Sequence, residues 1–394
     1  MRRNFYAVLS TSVFFGLTFG MYELVLPFYL QDRGVTTVGQ GYIFAAGLLM
    51  PFFLRIGVGS ISDRFGRKIF YGLSILLAGI ASLLTPFFSN AIVQGTLKGT
   101  RESGVEIRKV LHPIVLYEFA RGKFIDFWGK TQGFERLLEG AGYPLAGFLL
   151  ATYGSAGYRY AMLLAAALLG LGFVGFAILY KEGRPAPEDT PGKSRVLRLR
   201  ELVSLRLNKK LWIIIASMMV FNVGLMCSHC FVMPLFFTQK FGLSKDQAAI
   251  VLMLHRLFMA VPLILAGWII RGGLKVQKVY YVAFVFVEGV LIAAGGLIPG
   301  FYWATGVWLL HDFFGAGLWQ PVQAALIMHY ASDHQRGLEV GKVIAFSAVT
   351  MCIGPILAGY LTALPGLSAA TAISLPFIAG GGIIAASALL LLLL

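Results

Sequence analysis

The sequence predicts an all-α membrane protein with twelve transmembrane helices, and three observations support that prediction. First, 58% of the 394 residues are hydrophobic and 13% are charged, whereas soluble domains have about half apolar and a quarter charged residues. Second, each membrane crossing needs about 20 residues, so about twelve crossings fill the chain and leave no sizeable soluble domain. Third, positively charged loops alternate along the chain, as in polytopic membrane proteins.

The first predicted helix follows Met1-Arg2-Arg3 and lacks a small-residue cleavage site, which favours a retained helix over a cleaved signal peptide. Each later helix is an apolar run bounded by charged residues, glycine or proline. The predicted helices cover about residues 5–30, 40–62, 69–88, 91–118, 129–153, 159–180, 211–238, 246–270, 278–298, 301–330, 339–363 and 369–394.

The distribution of cations between the loops predicts the orientation of the chain. One set of loops carries only Arg33, Arg159, Lys240 and Lys245. The alternate set carries the connection 181–210 and twelve further cations, which are Arg2, Arg3, Arg64, Arg67, Lys68, Arg121, Lys123, Lys130, Arg271, Lys275, Lys278 and Arg336. The positive-inside rule therefore predicts a multi-pass protein of the cell (inner) membrane with both termini cytoplasmic. This sorting accounts for the formal charge of +15 without a nucleic-acid partner.

The connection Lys181–Lys210 divides the predicted helices into two sets of six, and it is the one long polar segment of the sequence. We predict an N-terminal six-helix bundle from residues 1–180 and a C-terminal six-helix bundle from residues 211–394. Leucines and arginines alternate in the second part of the connection, 196–206. This pattern predicts a short helix on the anionic inner leaflet of the lipid bilayer, with a regulatory docking site as the alternative.

A highly charged loop joins the second and third predicted helices. It runs Gly59-Ser-Ile-Ser-Asp63-Arg64-Phe-Gly66-Arg67-Lys68, and such a loop must lie at a membrane surface because it cannot stay in hydrocarbon. It resembles the signature loop G-x-x-x-D-R-x-G-R-K of the major facilitator superfamily of secondary transporters, which it matches at all six defined positions.

This resemblance implies a fold of two pseudo-symmetric six-helix bundles related by an axis along the membrane normal, with a substrate path between them. The sequence repeats itself accordingly, because 26–34 parallels 233–242 and 145–147 recurs as 357–359. The resemblance also implies a monomer without a cofactor that alternates between two states. In the family, the loop latches the halves in the outward-open state, and we assign that role to Gly59, Asp63, Arg64, Gly66, Arg67 and Lys68.

The fourth predicted helix has seven ionisable groups in the fifteen residues 98–112. A charge buried in a membrane costs at least about 3 kcal/mol on the mildest scale, so these groups must face water or partners. At 100° per residue, one face carries the cations and its flank the acids. The residues are Lys98, Arg101, Glu102, Glu106, Arg108, Lys109 and His112.

The fifth predicted helix offers Glu135 and Glu139 on one face with Arg136 beside them. These residues either form a salt-bridge network with the fourth helix or leave an excess of cations that attracts a negatively charged solute. The charge order in the fourth helix only loosely resembles the arginine pattern of proton-coupled members of the superfamily. It departs from the drug-exporter form, which argues against a drug substrate.

The fifth helix also contains a glycine and proline motif at Gly142, Pro144 and Gly147. The motif resembles one that marks antiporters of the superfamily and therefore implies export. The alternative interpretation is close helix packing through small residues.

Further ionisable residues lie within predicted helices, and an intramembrane carboxylate can bind and release a proton as a cavity alternates. We predict Glu23 and Asp312 as the proton-coupling residues. The predicted substrate cavity is lined by Glu23, Arg55, Arg101, Glu102, Glu106, Arg108, Lys109, His112, Glu139, Arg256, His311 and Asp312.

Cys227, His229 and Cys230 place sulfur and imidazole groups close together, as soft metals require. However, Cys227 and Cys230 share a helix face from which His229 points away, and cysteines are common apolar fillers. We therefore predict no bound metal, and these three residues are the candidate ligands if the protein carries a metal.

The function predicted from these patterns is secondary active transport by alternating access, with proton-coupled export of an amphipathic or anionic organic solute. The alternatives are a divalent-metal (iron or manganese type) or lipid carrier on the same fold, and a membrane receptor or scaffold that does not transport. The sequence predicts no enzyme, since it shows no spacing of nucleophile and base and no metal-hydrolase motif.

Overall fold

The computed structural model describes residues 2–51, 54, 57, 58, 61, 62, 65–120, 124–182, 206–332 and 336–394. The predicted site residues Arg55, Gly59, Asp63 and Arg64 lie outside this range, as does the interfacial helix predicted at 196–206 apart from its last residue. The described residues form helices and turns and contain no strand. The all-helical prediction is therefore confirmed.

Within the described residues, six α-helices precede the central connection. Thr36 caps α2 by accepting a hydrogen bond from the Gly39 amide, and Asn90 caps α4 in the same way through the amides of Ile92 and Val93. Gly154 turns the chain between α5 and α6 with a φ of 54°, which favours glycine. The helices are α1 (Arg2–Asp32), α2 (Thr37–Leu49), α3 (Arg67–Leu84), α4 (Ala91–Ala120), α5 (Phe124–Tyr153) and α6 (Ser155–Leu179).

Three of the helices after the connection are interrupted, and each interrupted helix keeps one label. α7 comprises Lys209–His229 and Val232–Phe241, α10 comprises Phe301–His311 and Gly317–Tyr330, and α11 comprises Arg336–Ala348 and Ile353–Thr362. The uninterrupted helices are α8 (Lys245–Ile269), α9 (Leu274–Leu297) and α12 (Ala369–Leu391).

The interruption of α10 is a π-helical turn at Asp312–Ala316. Such turns are rare and are often found at functional sites. The periodicity of the sequence did not predict it, because a π turn leaves the apolar run unbroken.

Eight helices within the described residues are long and apolar enough to cross a membrane, and most of the remaining helical sequence is more charged or shorter. The eight spans are Arg3–Asp32, Arg67–Phe87, Ser155–Leu179, Lys209–His229, Lys245–Ile269, Leu274–Leu297, Leu338–Thr362 and Ala369–Leu391. The chain is thus an integral, multi-pass membrane protein.

The N-terminal and C-terminal halves of the chain meet most extensively through α5 and α8. A Cβ atom on Gly129, Gly133 or Gly147 of α5 would lie within 3.0 Å of an atom of α8. On the other side of the molecule, a Cβ atom on Gly41 of α2 would lie 2.6 Å from the carbonyl oxygen of Pro355 in α11. Small residues therefore allow the close approach of helices from the two halves.

Polar contacts join the halves at one end, which we call the sealed end. Lys245 Nζ lies 3.0 Å from Asp32 Oδ2 and 2.6 Å from the Tyr158 hydroxyl. The hydroxyls of Tyr42 and Tyr360 lie 2.9 Å apart at the same end. The opposite end, at which α3 begins, is the open end, because solvent reaches the gap between the halves there.

Candidate functional site

A cavity of about 370 Å³ lies between the two halves. Its walls come from α1, α2, α4 and α5 on one side and from α7 to α11 on the other. Lys109 lines the cavity and its side chain is 48% exposed, so the cavity reaches solvent at the open end. The ionisable residues in its wall are Glu23, Lys98, Glu102, Glu106, Lys109, Arg136, Tyr143, His229, Cys230, Arg256, Glu288 and His311.

The structure divides the predicted cavity residues into two groups. The residues that line the cavity are Glu23, Glu102, Glu106, Lys109, Arg256 and His311. The residues buried behind its wall are Arg101, Arg108, His112, Glu139 and Asp312. Spacing along one helix can place a group on the inner face, but the depth to which a neighbouring helix covers that group depends on packing.

The first cluster of charges joins α1 to α4. Some of its side chains line the cavity and one, Arg101, is buried behind them. Lys98 Nζ lies 2.7 Å from Glu23 Oε1 and 2.9 Å from Glu102 Oε1. Arg101 Nη1 lies 3.5 Å from each of the same carboxylate oxygens, and its guanidinium stands 4.0 Å from the centre of the Tyr22 ring. Two cations thus neutralise two carboxylates, which offsets part of the cost of burying them.

A second cluster ties α4 to α5 and α1 away from the cavity. Both terminal nitrogens of Arg108 contact the Glu135 carboxylate, and Nη2 also donates to Ser12 Oγ at 2.7 Å. The ring nitrogens of His112 lie 3.1 Å from the Tyr71 hydroxyl and 3.2 Å from Thr131 Oγ1. These residues therefore form the salt-bridge network that was one of the two interpretations of the fourth helix.

A third cluster connects the two halves at the level of the cavity. The buried carboxylate of Glu139 in α5 contacts Arg136 of the same helix through one oxygen. Its other oxygen lies 2.7 Å from Arg256 Nε of α8. Since α5 and α8 belong to different halves, this carboxylate bridges them.

The opposite wall is mainly aromatic, thioether and amide in character. It contains Phe221, Trp319, Met259, Gln320 and Gln323 together with one carboxylate, Glu288. The Trp319 indole donates to Glu288 Oε2, and no lysine or arginine of the described residues forms an ion pair with that carboxylate.

The lining residues are balanced in charge. Four cations, Lys98, Lys109, Arg136 and Arg256, are matched by four carboxylates, Glu23, Glu102, Glu106 and Glu288. The cation excess that the fourth helix suggested does not appear in the wall, because Arg101 and Arg108 lie behind it.

Lys98, Arg136 and Glu288 line the cavity but are absent from the predicted set of cavity residues. Lys98 and Arg136 were visible as members of charged helix faces. Glu288 is an acidic residue in the otherwise apolar centre of α9, and that isolation is the signal that could have identified it.

The glycine and proline motif of α5 lies where α5 meets two other helices. A Cβ atom on Gly142 would lie 2.1 Å from the Leu17 carbonyl oxygen of α1, and one on Gly147 would lie 2.8 Å from Ala249 Cβ of α8. Pro144 lies between them within the helix. The motif therefore packs α5 closely on α1 at the middle of α1 and on α8 toward the sealed end.

The described part of the predicted latch contacts the start of the central connection. The backbone amides of Arg67 and Lys68, at the beginning of α3, donate to Glu182 Oε1. Gly66 precedes them with a φ of 91°, and a Cβ atom there would lie 2.6 Å from Glu182 Oε2.

The candidate soft-metal residues do not converge on one point. Cys227 and Cys230 are buried free thiols. His229 instead approaches another histidine, since its Nε2 lies 3.0 Å from His311 Nε2.

The comparison with protein families gives a match over about half of the chain. The family model described as Major Facilitator Superfamily matches residues 132–331. Among curated proteins, the chain is 21% identical over 373 residues to Multidrug resistance protein 2 of Bacillus subtilis (strain 168), covering 91% of this chain and 89% of the relative. It is 22% identical over 353 residues to Quinolone resistance protein NorA of Staphylococcus aureus (strain MRSA252), covering 89% and 87%.

Two solved structures resemble this protein, and each alignment covers 99% of this chain and 99% of the chain in the solved structure. The human organic anion transporter MFSD10 (TETRAN) aligns with a TM-score of 0.67 at 14% sequence identity. The nucleoside transporter NupG aligns with a TM-score of 0.73 at 13% identity. At these identities the likeness concerns the fold.

Proposed function

The chain belongs to the Major Facilitator Superfamily of transporters, and we propose that it exports an amphipathic organic solute in exchange for protons. In this proposal, residues 1–180 and 211–394 form two six-helix bundles that rock about the central cavity. The protein lies in the inner membrane of the cell. Both termini and the central connection face the cytoplasm. With this orientation, the open end of the cavity faces the cytoplasm and the sealed end faces outward.

One observation carries the proposal, namely a water-reaching cavity at mid-depth to which both halves contribute ionisable groups. Burying such groups in a membrane is costly, and a receptor or scaffold gains nothing from that cost. A transporter needs charged groups inside the membrane, because the contacts of such groups in the cavity differ between its two states.

The composition of the two walls favours an amphipathic solute. Phe221, Trp319 and Met259 offer apolar and aromatic surface, whereas the N-terminal wall offers paired charges. The four lining cations face four carboxylates when Glu288 is ionised and three when it is protonated. The net charge of these groups is therefore zero or one, which favours neither a strong anion nor a strong cation. A planar aromatic zwitterion, such as a quinolone, matches both features.

The charge order of α4 argued against a drug substrate, whereas two relatives carry names that refer to drug resistance. We give more weight to the cavity wall than to that charge order. Arg101 and Arg108, which set the order, lie behind the wall.

We assign the coupling proton to Glu288 first and to Glu23 second. A buried carboxylate that lacks a cationic partner is most cheaply accommodated in its neutral form, and among the described side chains the Trp319 indole is the one donor to Glu288. Glu23 sits against Lys98 and Arg101, so it takes up a proton only when those contacts loosen. Asp312, the other candidate from the sequence, lies behind the wall against His255.

Export is consistent with the place of the α5 motif. Gly142 and Gly147 allow α5 to pack closely against α1 and α8. This packing prevents solute and protons from leaking through the sealed end while the cavity is open at the opposite end.

Flux through proteoliposomes tests the proposal. Acid-inside vesicles containing the purified protein are offered a zwitterionic quinolone, a cationic dye and an aromatic carboxylate. We expect the quinolone to accumulate at least about tenfold above empty vesicles while protons leave. Accumulation that is independent of the pH gradient would refute proton coupling, and no flux of any of the three would refute the solute class.

A further inference from the structure

Three histidines from three helices converge at the inner side of the C-terminal wall. One nitrogen of each of His229 (α7), His255 (α8) and His311 (α10) lies within 4.8 Å of the other two. Asp312 adjoins them, with Oδ1 at 3.6 Å from His311 Nε2 and Oδ2 against His255 Nδ1. From this convergence we propose that His229, His255 and His311, supported by Asp312, bind a divalent transition-metal ion.

The hydrogen bonds fix which nitrogen of His311 carries its proton. His311 Nδ1 contacts the carbonyl oxygen of Trp308, which can only accept. The neutral ring therefore has its proton on Nδ1, and its Nε2 presents a lone pair.

The same reasoning applies to His229. The Ser228 hydroxyl donates to the carbonyl oxygens of Gly224 and Leu225, at 3.1 and 3.3 Å. Its oxygen is thus left to accept from His229 Nδ1, which lies 2.8 Å away. The Nε2 atom of neutral His229 then presents a lone pair as well.

Two lone pairs consequently face each other at 3.0 Å. A cation between or beside them resolves this repulsion. Nitrogens that bind one zinc ion at about 2.0–2.1 Å lie about 3.4 Å apart in a tetrahedral site, so a shift of a few tenths of an ångström brings this pair to the required separation. The nitrogen of His255 has further to move, since the three ligand atoms lie within 4.8 Å of one another.

Asp312 supplies the negative charge. Its side chain is fully buried, and neither carboxylate oxygen accepts a conventional hydrogen bond from the described residues, although Oδ2 touches His255. A carboxylate behind a metal-binding histidine holds the ring in orientation and increases its basicity. Sites that combine imidazole and carboxylate ligands bind zinc, nickel, copper and ferrous iron.

Arg256 competes with the ion at the third histidine. Its Nη1 lies 3.0 Å from His255 Nε2, so His255 joins the ligands only when Arg256 gives up that contact. Arg256 then still has its ion pair with Glu139. Removing the arginine should therefore tighten metal binding.

The surroundings hold the rings in place and leave a path to them. The Trp308 ring centre lies 4.5, 5.2 and 6.0 Å from those of His255, His311 and His229. His229 and His311 also line the cavity, so an ion can arrive from the open end.

Metal titration of the full-length protein tests the inference. Protein without a histidine tag is stripped with a chelator and titrated in detergent with Zn²⁺ by calorimetry and with Co²⁺ by visible absorption. We expect one ion to bind per chain, and we expect the visible absorption of bound Co²⁺ to be typical of nitrogen ligands. His229→Ala and His311→Ala should each weaken binding at least about tenfold, and Asp312→Asn about tenfold.

Two further variants complete the design. The exposed His329 provides the matched control, since His329→Ala should leave the affinity unchanged. Arg256→Gln should raise it at least about threefold, which an unfolded protein could not do. Elution volume and thermal midpoint of the metal-free variants report folding.

The inference is overturned if the intact protein takes up no metal, as expected when a shared proton satisfies the two Nε2 atoms instead. It is also overturned if both histidine variants bind as well as the intact protein. The proposed transport activity is tested separately by flux, so either proposal can fail alone.

Discussion

In the N-terminal wall of the cavity, each cation of α4 within the described residues touches a carboxylate. In the C-terminal wall, no described lysine or arginine pairs with Glu288, and two imidazole nitrogens face each other. Both walls contain buried charged groups, but the cations of the first are paired with carboxylates of the same half, whereas the Trp319 indole is the one side-chain donor to Glu288 among the described residues. The paired wall thus serves as a fixed scaffold, and the unsatisfied wall is where a proton, an ion or a solute gains most by binding.

The largest effect is expected from breaking a pair in the scaffold. Arg108→Gln leaves the Glu135 carboxylate buried without its bidentate partner, and removing one partner of a buried pair costs about 3–5 kcal/mol. Unfolding of the purified variant in detergent measures this loss.

The double variant, Arg108→Gln with Glu135→Gln, is the control for that prediction. It removes the stranded charge and should recover more than half of the lost stability. If the single and double variants are equally unstable, the pair contributes by packing and the contrast between the walls is weaker than we infer.

The second prediction compares one carboxylate from each wall. Glu288→Gln should abolish solute accumulation driven by the pH gradient, while its free energy of unfolding changes by less than about 1 kcal/mol, because no ion pair is lost. Solute exchange at equal pH on both sides should persist, since that step requires no net proton movement.

Glu23→Gln is the counterpart. It removes a carboxylate that contacts Lys98 and Arg101, so it should cost about 1–3 kcal/mol of stability. Normal gradient-driven accumulation by Glu288→Gln would remove Glu288 as the proton carrier and leave Glu23 as the remaining candidate.

The sequence could predict the helices and the charged faces because both depend on local patterns. Apolar runs mark spans by their length, and the spacing of Lys98 and Arg101 places them on one face of α4. The prediction of twelve helices rests on the same kind of pattern, and eight apolar spans stand out within the described residues.

The convergence of His229, His255 and His311 could not be predicted in that way. The three residues are 26 and 56 positions apart in the sequence and come from three helices, so only tertiary packing brings their nitrogens together. His229 is a neighbour of Cys227 and Cys230 along the chain, which suggested them as its partners, whereas the fold places it against His311 and His255. Likewise, Arg108 and His112 carry the charge signature of a cavity residue but pack against α5 and α3.

The third prediction concerns the sealed end, where Asp32 and Lys245 form an ion pair that is partly exposed to solvent. The side chains of Asp32 and Lys245 are 46% and 38% exposed, so Asp32→Asn should cost less than about 1 kcal/mol of stability. The contact nevertheless exists only while the sealed end is closed, and its loss should shift the two-state equilibrium by up to about fivefold.

Maleimide labelling of Ala249→Cys, a fully buried position of α8 that packs against Gly147 of α5 near the sealed end, reports that shift in a background without the native cysteines. The introduced thiol should react faster when combined with Asp32→Asn than alone. An unchanged labelling rate would mean that the pair does not hold the end closed and that the apolar contacts between the halves do so.

The smallest effect is expected at the start of α3, where Glu182 accepts from the amides of Arg67 and Lys68. A carboxylate at a helix N-terminus contributes about 0.3–1 kcal/mol when exposed, so Glu182→Gln should lower stability by no more than that. Lys181→Ala is the neighbouring control and should leave the thermal midpoint unchanged. A loss above about 2 kcal/mol would show that this exposed contact is as important to the fold as the buried pairs of the N-terminal wall, and the division between a paired scaffold and an unsatisfied binding wall would then not be the main determinant of stability.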